Sequence, residues 1–217
     1  RPLVAAVRDV EGVTVRALYD LYPDFGIDAE AERSALAASA RFCAGQGRCM
    51  RAAMDLASTL ALLSPKAIAN SNRNVIRDLW DLLSPLPAGK QIFSRAVGLA
   101  APYTATIGAK VELLRKGYAE VRMLDHPKLR NHLSSVHAVA LVNLAELTGN
   151  VALAYSLPDD ARFIVSGLEI EYKKKSRGTI RATCECPVPS TSERAEYVID
   201  VSMWNTAGEE VAHAKLK

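Results

Sequence analysis

The sequence is short of the residues that build metal centres and disulfide frameworks. Its 217 residues include four cysteines and four histidines. The cysteines at 43, 49, 184 and 186 are spaced C-x5-C and C-x-C, which matches no zinc pattern. No two histidines stand four residues apart with an acid nearby, so no metal site is expected. Free thiols in a reducing cytoplasm are the simpler expectation, and Cys184 and Cys186 fall on one side of a predicted strand. Aromatics make up 6% and the net charge is only +3. That is too mild for nucleic-acid binding without clustered cations and interleaved aromatics. There is no Gly-x-Ser-x-Gly elbow and no phosphate loop. The most apolar run, Val136 to Leu157, contains His137 and Glu146 and is interrupted by Gly149-Asn150. It predicts a buried helix followed by a strand, and not a membrane span. The first residues lack the apolar core of a signal peptide. A start at Arg1 without Met and a stop at Lys217 in mid-pattern read as part of a longer frame.

What is present is ordinary globular composition, with 49% hydrophobic and 24% charged residues, enough for one core or for one domain with an appendage. Helices are expected at 51–63, 73–83 and 89–100, the last stopped by Pro102. Residues 107–124 alternate as a strand pair bent at Gly117. One strong helix follows over 134–148. Strands are then expected at 151–156, 162–175, 179–186, 195–204 and 209–216, with turns at Pro158-Asp159-Asp160, Arg177-Gly178 and Ala207-Gly208. One long apolar helix inside a run of antiparallel strands is an α+β plan in which the sheet wraps the helix.

The opening stretch, with Leu21-Tyr22-Pro23-Asp24-Phe25, resembles a fragment of flavodoxin-like NAD(P)H:quinone oxidoreductases over residues 1–36. The strand and phosphate loop that would hold a flavin are missing from it, so no flavin site is carried over. Residues 37–73 read as a junction and helical segment, and residues 74–217 as the main domain.

Glu146 carries the sharpest chemical signal. It stands mid-helix among Leu141, Val142, Leu144, Ala145 and Leu147, where a carboxylate is costly unless paired, solvated on a narrow stripe, or functional. Ser134 or Ser135 is the expected N-cap, leaving orphan amides near Val136 to Ala138 that are backed by the helix dipole. Such amides stabilise an oxyanion. Ala138 and Glu146 lie eight residues apart, about 12 Å along the axis, too far for one small reacting group. Two antiparallel helices across a two-fold axis would bring them together, which predicts a dimer with shared sites.

The pattern Asn131-x5-His137-x8-Glu146, with Leu144-Ala145 before the acid, resembles hotdog-fold acyl-CoA thioesterases of the phenylacetyl-CoA thioesterase type. It is most similar to a domain-of-unknown-function branch with a helical lead-in and a Gly98-x-x-x-Pro102-Tyr103 stretch. The resemblance spans about residues 74–217. It implies a hotdog fold and hydrolysis of an acyl-CoA or related thioester without metal or organic cofactor. Glu146 would act as general base or nucleophile, and the Ala138 amide would polarise the carbonyl. Asn131 would orient thioester or water, and His137 would shape the helix start. The family's Gly-Gly is Ala138-Val139 here, and the added Cβ atoms narrow the approach. A non-catalytic acyl-thioester or lipid-binding hotdog protein is therefore the alternative. A hotdog dehydratase is a further rival, lacking here its Pro-Gly helix start. The run Lys173-Lys174-Lys175-Ser176-Arg177 is either a solvated turn or a dock for coenzyme A phosphates. The similar proteins place this strand end near the pantetheine channel. His126, His132 and His213 are expected to be structural or surface residues.

Overall fold

The computed structural model describes residues 71–217. The expected helix at 51–63, Cys43, Cys49 and the quinone-reductase-like stretch lie outside the described residues.

Two helices lead in. Helix α1 spans Val75–Leu83 and buries Val75, Leu79, Trp80 and Leu83, the i, i+4, i+5, i+8 face of an amphipathic helix. Asn74 caps it, its Oδ1 accepting from Arg77 N at 3.0 Å. Helix α2 spans Gly89–Ala100 and sets Phe93 edge-on against Trp80, with ring centroids 5.0 Å apart. Pro102 ends α2 as expected, but it also starts a four-residue helix, α3 (Pro102–Ala105), taking the first-turn position where its missing N–H is no loss.

Strands β1 (Lys110–Arg115) and β2 (Tyr118–Met123) form the expected hairpin, and Gly117 supplies the positive φ of 76° at its bend. A 3-10 turn at Pro127–Leu129 leads to the central helix α4 (Ala138–Ser156). Strands β3 (Leu168–Tyr172), β4 (Ile180–Glu185), β5 (Ile199–Trp204) and β6 (Glu210–Leu216) complete one antiparallel sheet in the order β1-β2-β4-β5-β6-β3. Helix α4 touches all six strands. Alternate residues of β4 and β5 point inward, namely Ile180, Ala182 and Cys184, then Ile199, Val201 and Met203. Ala119, Ala182, Ala212 and Ala214 are fully buried beneath the helix, and their small side chains let the sheet curve round it. Asn74 and Arg77 fasten the lead-in to the far end of α4.

The central helix departs from the sequence expectation at both ends. It begins at Ala138, not at 134, and it runs unbroken to Ser156 through the region expected to be a strand at 151–156. Gly149 marks a contact and not a break. A Cβ there would lie 2.8 Å from Leu216 Cδ2, so the glycine lets α4 rest directly on β6. Tertiary packing outweighs the roughly 1 kcal/mol helix penalty of glycine. Residues 162–167 are not strand either: only Ser166 and Gly167 reach β6's end, both amides donating to Lys217 O and Gly167 O accepting from Lys217 N at 2.9 Å. Pairing with β6 starts only at Leu168. Helix α4 is long and apolar enough by composition to cross a membrane, and 61% of that stretch is buried in the protein.

Candidate active site

The loop before α4 explains why the helix starts late. Asn131 Oδ1 accepts from Leu133 N at 2.9 Å and Ser135 N at 3.2 Å, and Asn131 N donates to Ser135 O. Ser134 takes a positive φ of 54° inside this closed turn. Ser135 Oγ donates to Ser176 O at 2.8 Å. Neither serine is therefore the N-cap. His137 is, its Nδ1 accepting from Val139 N at 3.1 Å, which leaves the neutral ring's proton on Nε2.

This wiring sorts the orphan amides of the first turn. Val136 N donates to Ser176 O at 2.8 Å, and His137 N to Leu129 O at 2.7 Å. Val139 N is taken by its cap. Ala138 N has no acceptor among the described residues, and the residue is exposed. Of the three amides anticipated, Ala138 alone stays available, at the positive end of a 19-residue helix.

Glu146 is half-buried and has neither hydrogen bond nor ion pair among the described residues. It follows Val139 and Asn143 along one side of α4, at i+7 and i+4 from Val139. Thus His137 and Ala138 form the helix start, Asn131 closes the turn before it, and Glu146 stands two turns away. The basic run also reaches this end. Tyr172 OH donates to Ala138 O at 3.3 Å, and Ser176 O receives Val136 N. Lys173 pairs with Glu210 and Lys174 with Glu209, which draws down both carboxyl pKa values through hydrogen bonding to the ammonium groups. Lys175 and Arg177 are exposed without an ion pair among the described residues.

A cavity of about 240 Å³ opens beside the helix start, walled by α3, the 127–130 turn and the first turns of α4. Lys128 and Arg130 line its rim, and His137, Val139 and Asn143 its helix side. Asp125 braces the rim. It accepts from Arg130 Nε at 2.8 Å, from Arg130 Nη2 at 3.0 Å and from Gly178 N at 3.0 Å. The Arg130 hydrogen bonds hold its carboxyl below the usual carboxylate range. Sequence reasoning named Tyr103 only within the Gly98–Tyr103 stretch, and it missed Asn143 and Lys128 as lining of this cavity. For Asn143 the signal was available: an amide in an apolar helix, three residues before the singled-out acid.

Cys184 is buried on the inner face of β4, and Cys186 follows on the same side, 3.7 Å from Ser156 Oγ. Both are free thiols. No group of three or more metal-ligating side chains is present among the described residues.

A six-stranded antiparallel sheet wrapped round one long helix is the hotdog fold. The chain belongs to the family described as a domain of unknown function, DUF4442, whose model matches residues 89–217. A structural-genomics crystal structure is 30% identical to it, over 65% of this chain and 94% of that one, with a TM-score of 0.57. The Escherichia coli PaaI protein of the phenylacetic acid degradation operon is 18% identical over 57% of this chain and 86% of its own, with a TM-score of 0.48. A Pseudomonas aeruginosa protein of unknown function, described as a probable thioesterase, is 23% identical over 55% and 86%, with a TM-score of 0.45. A search of curated proteins finds no match.

Proposed function

We propose that the protein hydrolyses an acyl-CoA or related acyl thioester as a homodimer, with no metal or organic cofactor. The observation that carries this is the single available amide at Ala138 together with the unpartnered, half-buried Glu146 on the same helix. The amide polarises the thioester carbonyl and receives its developing negative charge. Glu146 of the other protomer, across a two-fold axis, takes the proton from an attacking water or attacks the carbonyl itself. Asn131 has its Oδ1 engaged in the turn, so its Nδ2 is the group that orients water or thioester. His137 holds the helix start in shape. Lys175 and Arg177 receive the coenzyme A phosphates, with Lys173 and Lys174 contributing less because acids already hold them.

The experiment is thiol release from short, aryl and long acyl-CoAs, wild type against Glu146→Gln. The reading expects turnover that falls about 10²–10⁴-fold in the variant, with an unchanged thermal midpoint. Equal turnover in both proteins overturns the role of Glu146. A second reading, a non-catalytic acyl-thioester or lipid-binding protein, is favoured by Val139, which is 49% exposed at the cavity wall where the family pattern has glycine. Tight binding of acyl-CoAs without turnover would select it.

A further inference from the structure

The side chain of Asn143 is unusual in its surroundings. It is 4% exposed in the wall of the cavity, and its Nδ2 donates to Tyr103 O at 3.2 Å. A carbonyl only accepts, so the amide nitrogen must face Tyr103 and the remaining atom is the oxygen. Asn143 Oδ1 is buried and receives no hydrogen bond. A buried acceptor left without a donor is uncommon in a folded protein and marks either strain or an absent occupant.

Two features favour an occupant. Tyr103 O already accepts from Thr106 N at 3.1 Å and Thr106 Oγ1 at 2.6 Å. The carboxamide can therefore turn about its last torsion toward the cavity without leaving that carbonyl unsatisfied. The wall also holds donor-only cations, Lys128 and Arg130, and no carboxylate. The other side-chain acceptors in the wall are His137 Nδ1, taken by Val139 N, and the hydroxyls of Tyr103 and Thr106, and Thr106 Oγ1 is already tied to Tyr103 O.

We infer that Asn143 is a specificity-determining residue: the cavity takes the part of a thioester ligand that carries a neutral N–H or O–H donor, and Asn143 Oδ1 accepts from it. This rests on the thioester reading and adds which ligands are preferred. Two parts of such a ligand supply the donor, an amide of the pantetheine arm or a hydroxyl on the acyl chain.

Binding of non-hydrolysable thioethers by titration calorimetry separates these sources and needs no turnover. One pair is S-alkyl coenzyme A ending in a hydroxyl or in an isosteric methyl group. The other is S-hexyl pantetheine and its analogue with an ester in place of the amide nearest the sulfur. The wild type is expected to prefer the donor-bearing member of one pair by about tenfold. In Asn143→Leu that preference falls to near unity, while the donor-lacking member binds within about twofold of wild type. Asn143→Asp keeps an acceptor and loses the bond to Tyr103, so it retains the preference, and it serves if the leucine variant does not fold. A role limited to fastening Tyr103 would weaken both members equally. Binding without donor preference in either pair, or a preference that persists in Asn143→Leu or is lost in Asn143→Asp, overturns the inference alone. Failure of every thioether to bind overturns the thioester reading with it.

Discussion

The two ends of the central helix are built to opposite specifications. At the C-terminal end the lead-in helix reaches over to bond several of the last carbonyls. Ala154 O accepts from Asn74 Nδ2 at 2.7 Å, and Leu157 O accepts from Asn74 Nδ2 at 3.0 Å and Arg77 Nη1 at 3.1 Å. Ser156 Oγ bonds Ala152 O and receives Gly117 N. At the N-terminal end three of the first amides are taken and Ala138 N is not, beside a cavity and a buried unpaired oxygen. Sealing an end contributes stability, and leaving one amide open costs some of it. On the proposed function, the contrast assigns stability to the lead-in helix and chemistry to the loops at 125–137 and 172–178.

The sharpest way to break this contrast is Ala138→Pro. Proline at the first helical position keeps the helix φ and removes only the N–H, and His137 already has the extended backbone (ψ 139°) that a preceding residue requires. The proposed function expects thioester turnover to fall about 10²–10³-fold, the loss seen when an oxyanion donor is removed. The melting temperature should hold. Steady-state kinetics with parallel thermal melts decide it, and unchanged kinetics would remove the Ala138 amide from the mechanism.

The matching change at the sealed end is Asn74→Ala. It deletes the cap of α1 and the two bonds from Asn74 to the end of α4, leaving those of Arg77 and Asp81 in place, with Asn74 only 7% exposed. Chemical denaturation should show a loss of about 2–3 kcal/mol. Turnover below the melting transition should be unaffected. A rate loss as large as the stability loss would mean that the two ends are coupled through the helix.

Most of the architecture was legible because it follows from short-range pattern. Period-3.6 apolar spacing located α1, Pro102 bounded α2, alternation with Gly117 located the β1–β2 hairpin, and the uniformly apolar helix required a wrapping sheet. The errors fell where distant residues decide. Gly149 read as a break because Leu216, 67 positions away, supplies the reason for the glycine. Ser135 read as a cap because Ser176, which claims its hydroxyl, is 41 positions away. The segment 162–167 carried strand-like residues, but of its backbone only Ser166 and Gly167 bond a neighbour among the described residues, and that neighbour is Lys217 alone. Asn131, His137 and Ala138 could be proposed together because they are close in sequence. The cavity was not, since its walls come from α3, the 127–130 turn and α4.

A smaller effect sharpens the contrast at the open end. Asp125 joins the cavity rim to the basic turn through Arg130 and Gly178. Its carboxyl titrates below its value in the unfolded chain, chiefly through the Arg130 hydrogen bonds. The folded state therefore binds this proton less readily, and the stabilisation is fully present above the unfolded value of about 3.9. It is lost as pH falls through the lowered folded value. Asp125→Asn should cost about 1 kcal/mol at neutral pH and flatten that part of the acid limb in a pH series of melts. An acid limb identical to wild type would show that the brace contributes nothing.

The smallest expected effect concerns the cations. Lys173 and Lys174 are already held by Glu210 and Glu209, whereas Lys175 and Arg177 are exposed and free of ion pairs among the described residues. If phosphates of the substrate dock here, Lys175→Ala with Arg177→Ala should raise KM about threefold to tenfold at low salt with kcat unchanged, and the difference should shrink as salt screens the interaction. The Lys173→Ala and Lys174→Ala pair should do less, since each lysine's charge is spent on an acid. Equal effects from the two pairs would make the run a diffuse positive field. No effect from either would place the phosphates elsewhere, with Lys128 at the cavity rim the next cation to change.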